Sequence, residues 1–249
     1  MRIFFSLLAG LFVMATTSCK TAAPRAASPL SPEKFNCTLT RNVQTKYLLY
    51  LPQDYAAVPG QRWPLMLFLH GAGERGDDLA LVAKHGPLKF VRQGTNFPFI
   101  IVAPQCPKGQ HWDNEVLLAL LDRAVKQYAV DESRVYLTGL SMGGFGTWSL
   151  GAAHPERFAA IAPICGGGNF IDWHLAPHPA VKTLGVWAFH GGQDPVVPVT
   201  ESERMIALLK KIGCDDAQIT VYPEAKHDAW TETYTNPKFY EWLLAHQRK

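Results

Sequence analysis

Residues 137–146 read LTGLSMGGFG, one serine among four glycines. Gly-x-Ser-x-Gly between an apolar run and a helical pattern is the signature of a nucleophile on a sharp strand-to-helix turn. A serine hydroxyl attacks a carbonyl carbon only when a base takes its proton, and that base needs a carboxylate to orient it. Two later stretches carry the required types. AFHGGQDPVVP holds Asp194 and VYPEAKHDAW holds His227, each just beyond an apolar run. The order serine, acid, histidine fits a triad of Ser141, Asp194 and His227, and the chemistry would be acyl transfer. Asp172 and Asp228 are the substitute acids, although Asp228 adjoins His227 and would reach its imidazole poorly. His154 belongs to the end of the helix after the serine, and His190 is read as structural.

An acyl transfer also needs donors for the negative charge that develops on the carbonyl oxygen. The turn aims the backbone N–H of Met142 at that oxygen. FLHGAGERG, after the run at 64–70, supplies the second donor, the N–H of Ala72. Glu74 and Arg75 are expected to pair locally and hold this loop. Gly71, Gly73 and Gly76 also spell GxGxxG, but no strand ending in a ribose-binding acid follows, so a dinucleotide is not indicated. Glycine inside regular structure costs about 0.5–1 kcal/mol. Gly139 and Gly143 are therefore expected where a side chain would collide with a crossing chain.

The elements that must position these residues follow from periodicity. CTLTR and YLLYLP read as two strands joined by a turn. Short apolar runs at 64–70, 99–105, 134–140, 158–165, 183–191 and 219–225 read as strands. Between them, 115–129 has helical spacing, and 200–213 opens on a capping box of Thr200 with Glu203 and stops at Gly213. Strands alternating with helices predict an α/β fold with a mostly parallel central sheet flanked by helices.

HGAGERGDD, VAPQCP, GLSMGGFGTW, APICGGG, FHGGQDPVVP and KHDAWTETY together resemble secreted α/β-hydrolase esterases. The similarity is to dienelactone-hydrolase-like proteins, prolyl-oligopeptidase-like "predicted peptidases", and feruloyl or acetyl esterases of carbohydrate esterase family one. It covers about residues 40–246. It implies the α/β-hydrolase fold, the triad and oxyanion donors named above, and no metal or organic cofactor. No insertion between about 165 and 184 is long enough for a large lid. An open cleft suits small acyl, acetyl or feruloyl esters, including those on plant polysaccharide. Trp112 and Trp230 are the expected pocket walls, and Gln105 the expected donor to a substrate hydroxyl. Trp173 also falls on a loop near this end, and Trp148 packs under the turn. Two other readings stay open: a serine peptidase of prolyl-oligopeptidase type, and a non-catalytic surface binding protein.

The 249 residues are 47% hydrophobic, enough for a sizeable core, and the formal charge of +3 comes with no basic block, so nucleic acid is not an expected partner. Residues 1–19 form a positively charged start, an apolar run too short to span a membrane, and a small-residue stretch ending in Cys19. This resembles a bacterial lipoprotein signal, in which Cys19 is lipidated and anchors an exported protein. An ordinary signal peptide, giving a periplasmic or secreted protein, is the alternative. Residues 20–35, rich in Ala, Pro and Ser, read as a tether reaching roughly 45 Å at about 3.1 Å per residue. Residues 36–249 are the expected catalytic domain. Cys37, Cys106, Cys165 and Cys214 lack zinc-site spacing, and a disulfide among them is possible in an oxidising compartment.

Overall fold

The computed structural model describes residues 30, 32–57 and 59–248. The chain divides into a unit of Met1–Asn42 and a unit of Val43–Lys249. In the first, the described residues are exposed and carry neither helix nor strand. The expected signal and Cys19 lie outside the described residues.

The second unit is built on seven strands: β1 (Tyr47–Tyr50), β2 (Trp63–Leu69), β3 (Ile100–Pro104), β4 (Val130–Leu140), β5 (Ala160–Ile164), β6 (Gly185–Gly191) and β7 (Ala217–Tyr222). They lie in the order β1-β3-β2-β4-β5-β6-β7, with only β1 antiparallel to its neighbour. This is the mostly parallel sheet of the α/β-hydrolase fold. The helices are α1 (Pro87–Arg92), α2 (Asn114–Gln127), α3 (Met142–Ala153), α4 (Phe170–Leu175), α5 (His178–Thr183), α6 (Thr200–Lys211), α7 (Ala229–Thr235) and α8 (Pro237–Ala245).

Both faces of the sheet are covered. In β2, Leu65, Leu67 and Leu69 join Leu117 and Leu121 of α2, Trp148 of α3 and Met205 of α6. Met66 and Phe68 turn the other way, toward Leu88 of α1, Tyr234 of α7 and Phe239 of α8. Burying each such side chain contributes about 1.5–3 kcal/mol, so an unbroken apolar run is what this central strand requires.

Two expectations fail. CTLTR (37–41) forms no strand: its one large apolar residue, Leu39, is exposed, so the segment has no face to bury. The capping box of Thr200 and Glu203 does not form either. Val199 is the cap of α6, Thr200 already lies within the helix, and the first turn closes by N–H bonds from Ser202 and Glu203 to the Val199 carbonyl. The stop at Gly213 is present, with a left-handed φ of 90°.

Candidate active site

Ser141 sits between the end of β4 and the start of α3, with φ 52° and ψ −117°. Such a conformation costs a non-glycine residue on the order of 1–3 kcal/mol and persists only when its surroundings enforce it. Here they do. A Cβ on Gly139 would lie 2.5 Å from the Gly143 carbonyl oxygen, and one on Gly143 would run into the Leu69 carbonyl. A Cβ on Gly144 would lie 2.5 Å from the Ile164 carbonyl oxygen, and one on Gly146 would lie 2.8 Å from the Trp112 ring. Three of the glycines thus admit close backbone, and Gly146 the Trp112 ring, around one strained serine.

The turn brings Ser141 to His227, in the loop after β7, and His227 to Asp194, in the loop after β6. His227 Nε2 lies 2.9 Å from Ser141 Oγ, and His227 Nδ1 lies 2.7 Å from Asp194 Oδ2. An ionised carboxylate can only accept, so Nδ1 carries the proton and Nε2 is left to accept from the serine hydroxyl. Burial opposes ionisation of Asp194. Hydrogen bonds from His227 and from the Val197 and Val196 amides outweigh it, and its pKa lies below the ordinary carboxylate value. Asp172 is exposed and bonded by Asn169, while Asp228 precedes α7, so neither stands in for Asp194.

Met142 opens α3 and Ala72 opens a 3-10 turn over Ala72–Glu74, positions whose N–H groups have no partner within their own helix. The Ala72 loop is fixed from behind. His70 donates from Nδ1 to the Gly71 carbonyl (2.6 Å) and accepts the Cys106 N–H at Nε2 (3.0 Å). Arg75 donates to the carbonyls of Ala72 (3.0 Å) and Gln110 (3.1 Å). The expected Glu74–Arg75 pair is therefore replaced: the guanidinium is spent on backbone, and Glu74 is buried beside His85.

The sequence model of the dienelactone hydrolase family matches residues 108–239, a stretch holding Ser141, Asp194 and His227. The chain belongs to the dienelactone hydrolase family. This family member is 25% identical over 193 residues to a probable feruloyl esterase C of Aspergillus terreus, across 73% of this chain and 68% of that protein. It is 31% identical to poly(3-hydroxyalkanoate) depolymerase C of Paucimonas lemoignei, across 69% of this chain and 53% of that protein. A solved thermostable esterase superposes with a TM-score of 0.67 at 34% identity, across 83% of this chain and 60% of that one. The resemblance to α/β-hydrolase esterases holds, and the family and fold are those of hydrolases that act on esters.

Around the site, this dienelactone hydrolase family member departs from several sequence expectations. Gln105 is buried and spends both amide hydrogens on the carbonyls of Glu74 (2.9 Å) and Asp78 (2.8 Å), so it ties down a loop and has none left for a substrate hydroxyl. Trp173 is fully buried in α4 and packs edge-on against Trp148 at 5.8 Å, so it lines no cleft. Trp112 is half-buried, donates to the His70 carbonyl (3.3 Å) and stacks edge-on against the His70 ring at 4.8 Å, which props the Ala72 loop. Trp230 lies edge-on to the His227 ring at 5.3 Å.

His190 and Cys165 complete the surroundings of Asp194. His190 donates from Nε2 to the Val197 carbonyl (2.9 Å), lies 3.4 Å from Asp194 Oδ2, and meets Ser202 Oγ at Nδ1 (2.8 Å). Cys165 has a left-handed φ of 48°, and burial, with the nearby Asp194 charge, pushes its thiol up to about 12. Cys165, His190 and Asp194 hold ligand-type atoms within 4.8 Å of one another, but both histidine nitrogens and the carboxylate already have partners and the thiol stays protonated. Sequence gave no signal for Cys165, because its backbone conformation depends on the chain it meets. The four described cysteines are free: Cys37 is exposed, and the buried Cys106, Cys165 and Cys214 follow three separate elements, β3, β5 and α6.

Proposed function

We propose that this protein is a serine carboxylesterase working through Ser141, His227 and Asp194. Ser141 Oγ attacks the ester carbonyl carbon while His227 Nε2 takes its proton. The tetrahedral oxyanion accepts the N–H groups of Ala72 and Met142; one such donor contributes about 2.7–4 kcal/mol to the barrier reduction. His227 then returns the proton to the alcohol oxygen as the ester C–O bond breaks. Water, deprotonated in turn by His227, attacks the acyl carbon and frees the acid and Ser141. Asp194 holds the imidazole tautomer and stabilises its charged form. The observation that carries this reading is the unbroken hydrogen-bonded chain from Ser141 through His227 to Asp194.

The proposed substrates are small acyl, acetyl or feruloyl esters, including those borne on plant polysaccharide. The similarity to a feruloyl esterase supports this. So does the connection between β5 and β6, which is made of two six-residue helices rather than a lid. The proposed location is outside the cytoplasm, on a membrane through lipidated Cys19. A panel of nitrophenyl acetate, methyl ferulate, feruloyl sugars and peptide amides tests the reading. Ester turnover with amides inert is expected; amide turnover without ester turnover would overturn it.

A further inference from the structure

Glu74 is a largely buried carboxylate that no protein donor bonds among the described residues. It ends the turn that begins at Ala72, and its side chain is only 7% exposed. Among the described residues no hydrogen bond reaches its oxygens; the nearest polar partner, His85 Nε2, stands 3.8 Å from Oε1, beyond hydrogen-bond range. His70 also lies close enough to feel its charge. A Cβ on Gly71 would touch both Glu74 Oε2 (3.2 Å) and Leu140 Cδ1 (2.8 Å). A hydroxyl brought to this carboxylate would form a charge-assisted hydrogen bond, roughly twice as strong as a neutral one.

His85 does not neutralise it. Burial pushes the His85 pKa down, and Lys84 and Lys89 act in the same direction against the opposing pull of Glu74. A neutral imidazole beside a carboxylate offers one donor and one acceptor 3.8 Å apart. A single hydroxyl oxygen about 2.8 Å from each atom, off the line joining them, can donate to Glu74 and accept from His85. Trp230 connects this pair to the chemistry: its ring lies edge-on to His85 at 5.8 Å and to His227 at 5.3 Å. The leaving alcohol comes next to the same imidazole, because His227 Nε2 returns the proton to its oxygen.

We propose that Glu74, His85 and Trp230 form a subsite for the alcohol half of the substrate, selecting a sugar-type alcohol that carries further hydroxyls. This rests on the roles proposed above for Ser141 and His227. Glu74 accepts from a hydroxyl, His85 donates to it, and the indole faces the apolar side of the sugar ring. A choline-type alcohol carries no further hydroxyl and offers the pair no such bond.

The test compares kcat/KM for a feruloyl arabinoside and for methyl ferulate, in the full chain and in Glu74→Gln and His85→Phe. The ratio of the two is expected to fall about tenfold or more in Glu74→Gln, where the charged acceptor is lost, and about two- to tenfold in His85→Phe, where a neutral donor is lost. Free methyl arabinoside is expected to inhibit the parent protein competitively and Glu74→Gln more weakly. If Glu74→Gln does not fold, the same ratio in His85→Phe decides. An unchanged ratio in the folded variants, or a preference of the parent protein for a choline ester over the sugar ester, overturns the subsite alone. Hydrolysis of no ester at all overturns the esterase reading and the subsite with it.

Discussion

In the proposed reaction His227 serves Ser141 only while Asp194 is charged, and the donors around Asp194 outweigh its burial. Its pKa is depressed on folding, so its contribution to stability is present above the ordinary carboxylate pKa and is lost as pH falls through the lower folded value. Acid unfolding followed by circular dichroism should therefore begin below the ordinary carboxylate range in the parent and lose that component in Asp194→Asn. The same variant should lower kcat by about 10⁴-fold, since an amide no longer holds the productive tautomer; a loss of less than tenfold would remove Asp194 from the mechanism. Burial also pushes Cys165 up to about 12 and Cys214 up to about 11. Iodoacetamide at pH 8 should accordingly label Cys37 among the described cysteines of the native protein, and the buried three only after denaturation. Mass mapping of Cys165 alkylated under native conditions would contradict this. The meeting of Ser141, Asp194 and His227 was legible because their order and their places after strands are local features. Glu74 was misread, because a partner for Arg75 is suggested by adjacency, whereas burial beside His85 depends on how α1 packs.

At the scale of elements, the strands were legible and many helices were not. A sheet covered on both faces demands apolar residues at every position, which leaves a plain run such as PLMLFL. The six-residue α4 and α5 have too few turns to display a helical period, and α5 and α8 begin on proline-containing steps that read as loop. The CTLTR segment had the alternation of a strand but nothing to bury. The glycines around Ser141 were legible as close approaches, and they give a sharp contrast. Gly143→Ala should lower the melting temperature strongly, because the added methyl meets the Leu69 backbone, which cannot yield. Gly73→Ala should not, since nothing lies within 4 Å of its new methyl. Equal melting temperatures for the two, measured by calorimetry, would show that the turn is not held as described.

For the whole molecule, the fold is that of an α/β-hydrolase, while the place of action is a proposal resting on residues 1–19. None of the described helices is long and apolar enough to cross a membrane. If Cys19 is lipidated, Cys19→Ala should move the protein from the membrane to the soluble fraction of its host with kcat unchanged. Identical soluble behaviour of both forms would replace the lipid anchor with an ordinary signal peptide. Substrate identity was the least legible property, because it depends on side chains from the Ala72 loop, the segment before α1 and α7 that meet only in the folded chain.

The most direct measurement is covalent. Incubation with a fluorophosphonate, followed by intact-mass analysis and peptide mapping, should give one adduct per chain, on Ser141, with ester hydrolysis lost in step. Ser141→Ala should take up no adduct and retain on the order of a millionth of the parent kcat. An adduct on another residue, or a folded Ser141→Ala variant turning over esters near the parent rate, would contradict a nucleophile at Ser141.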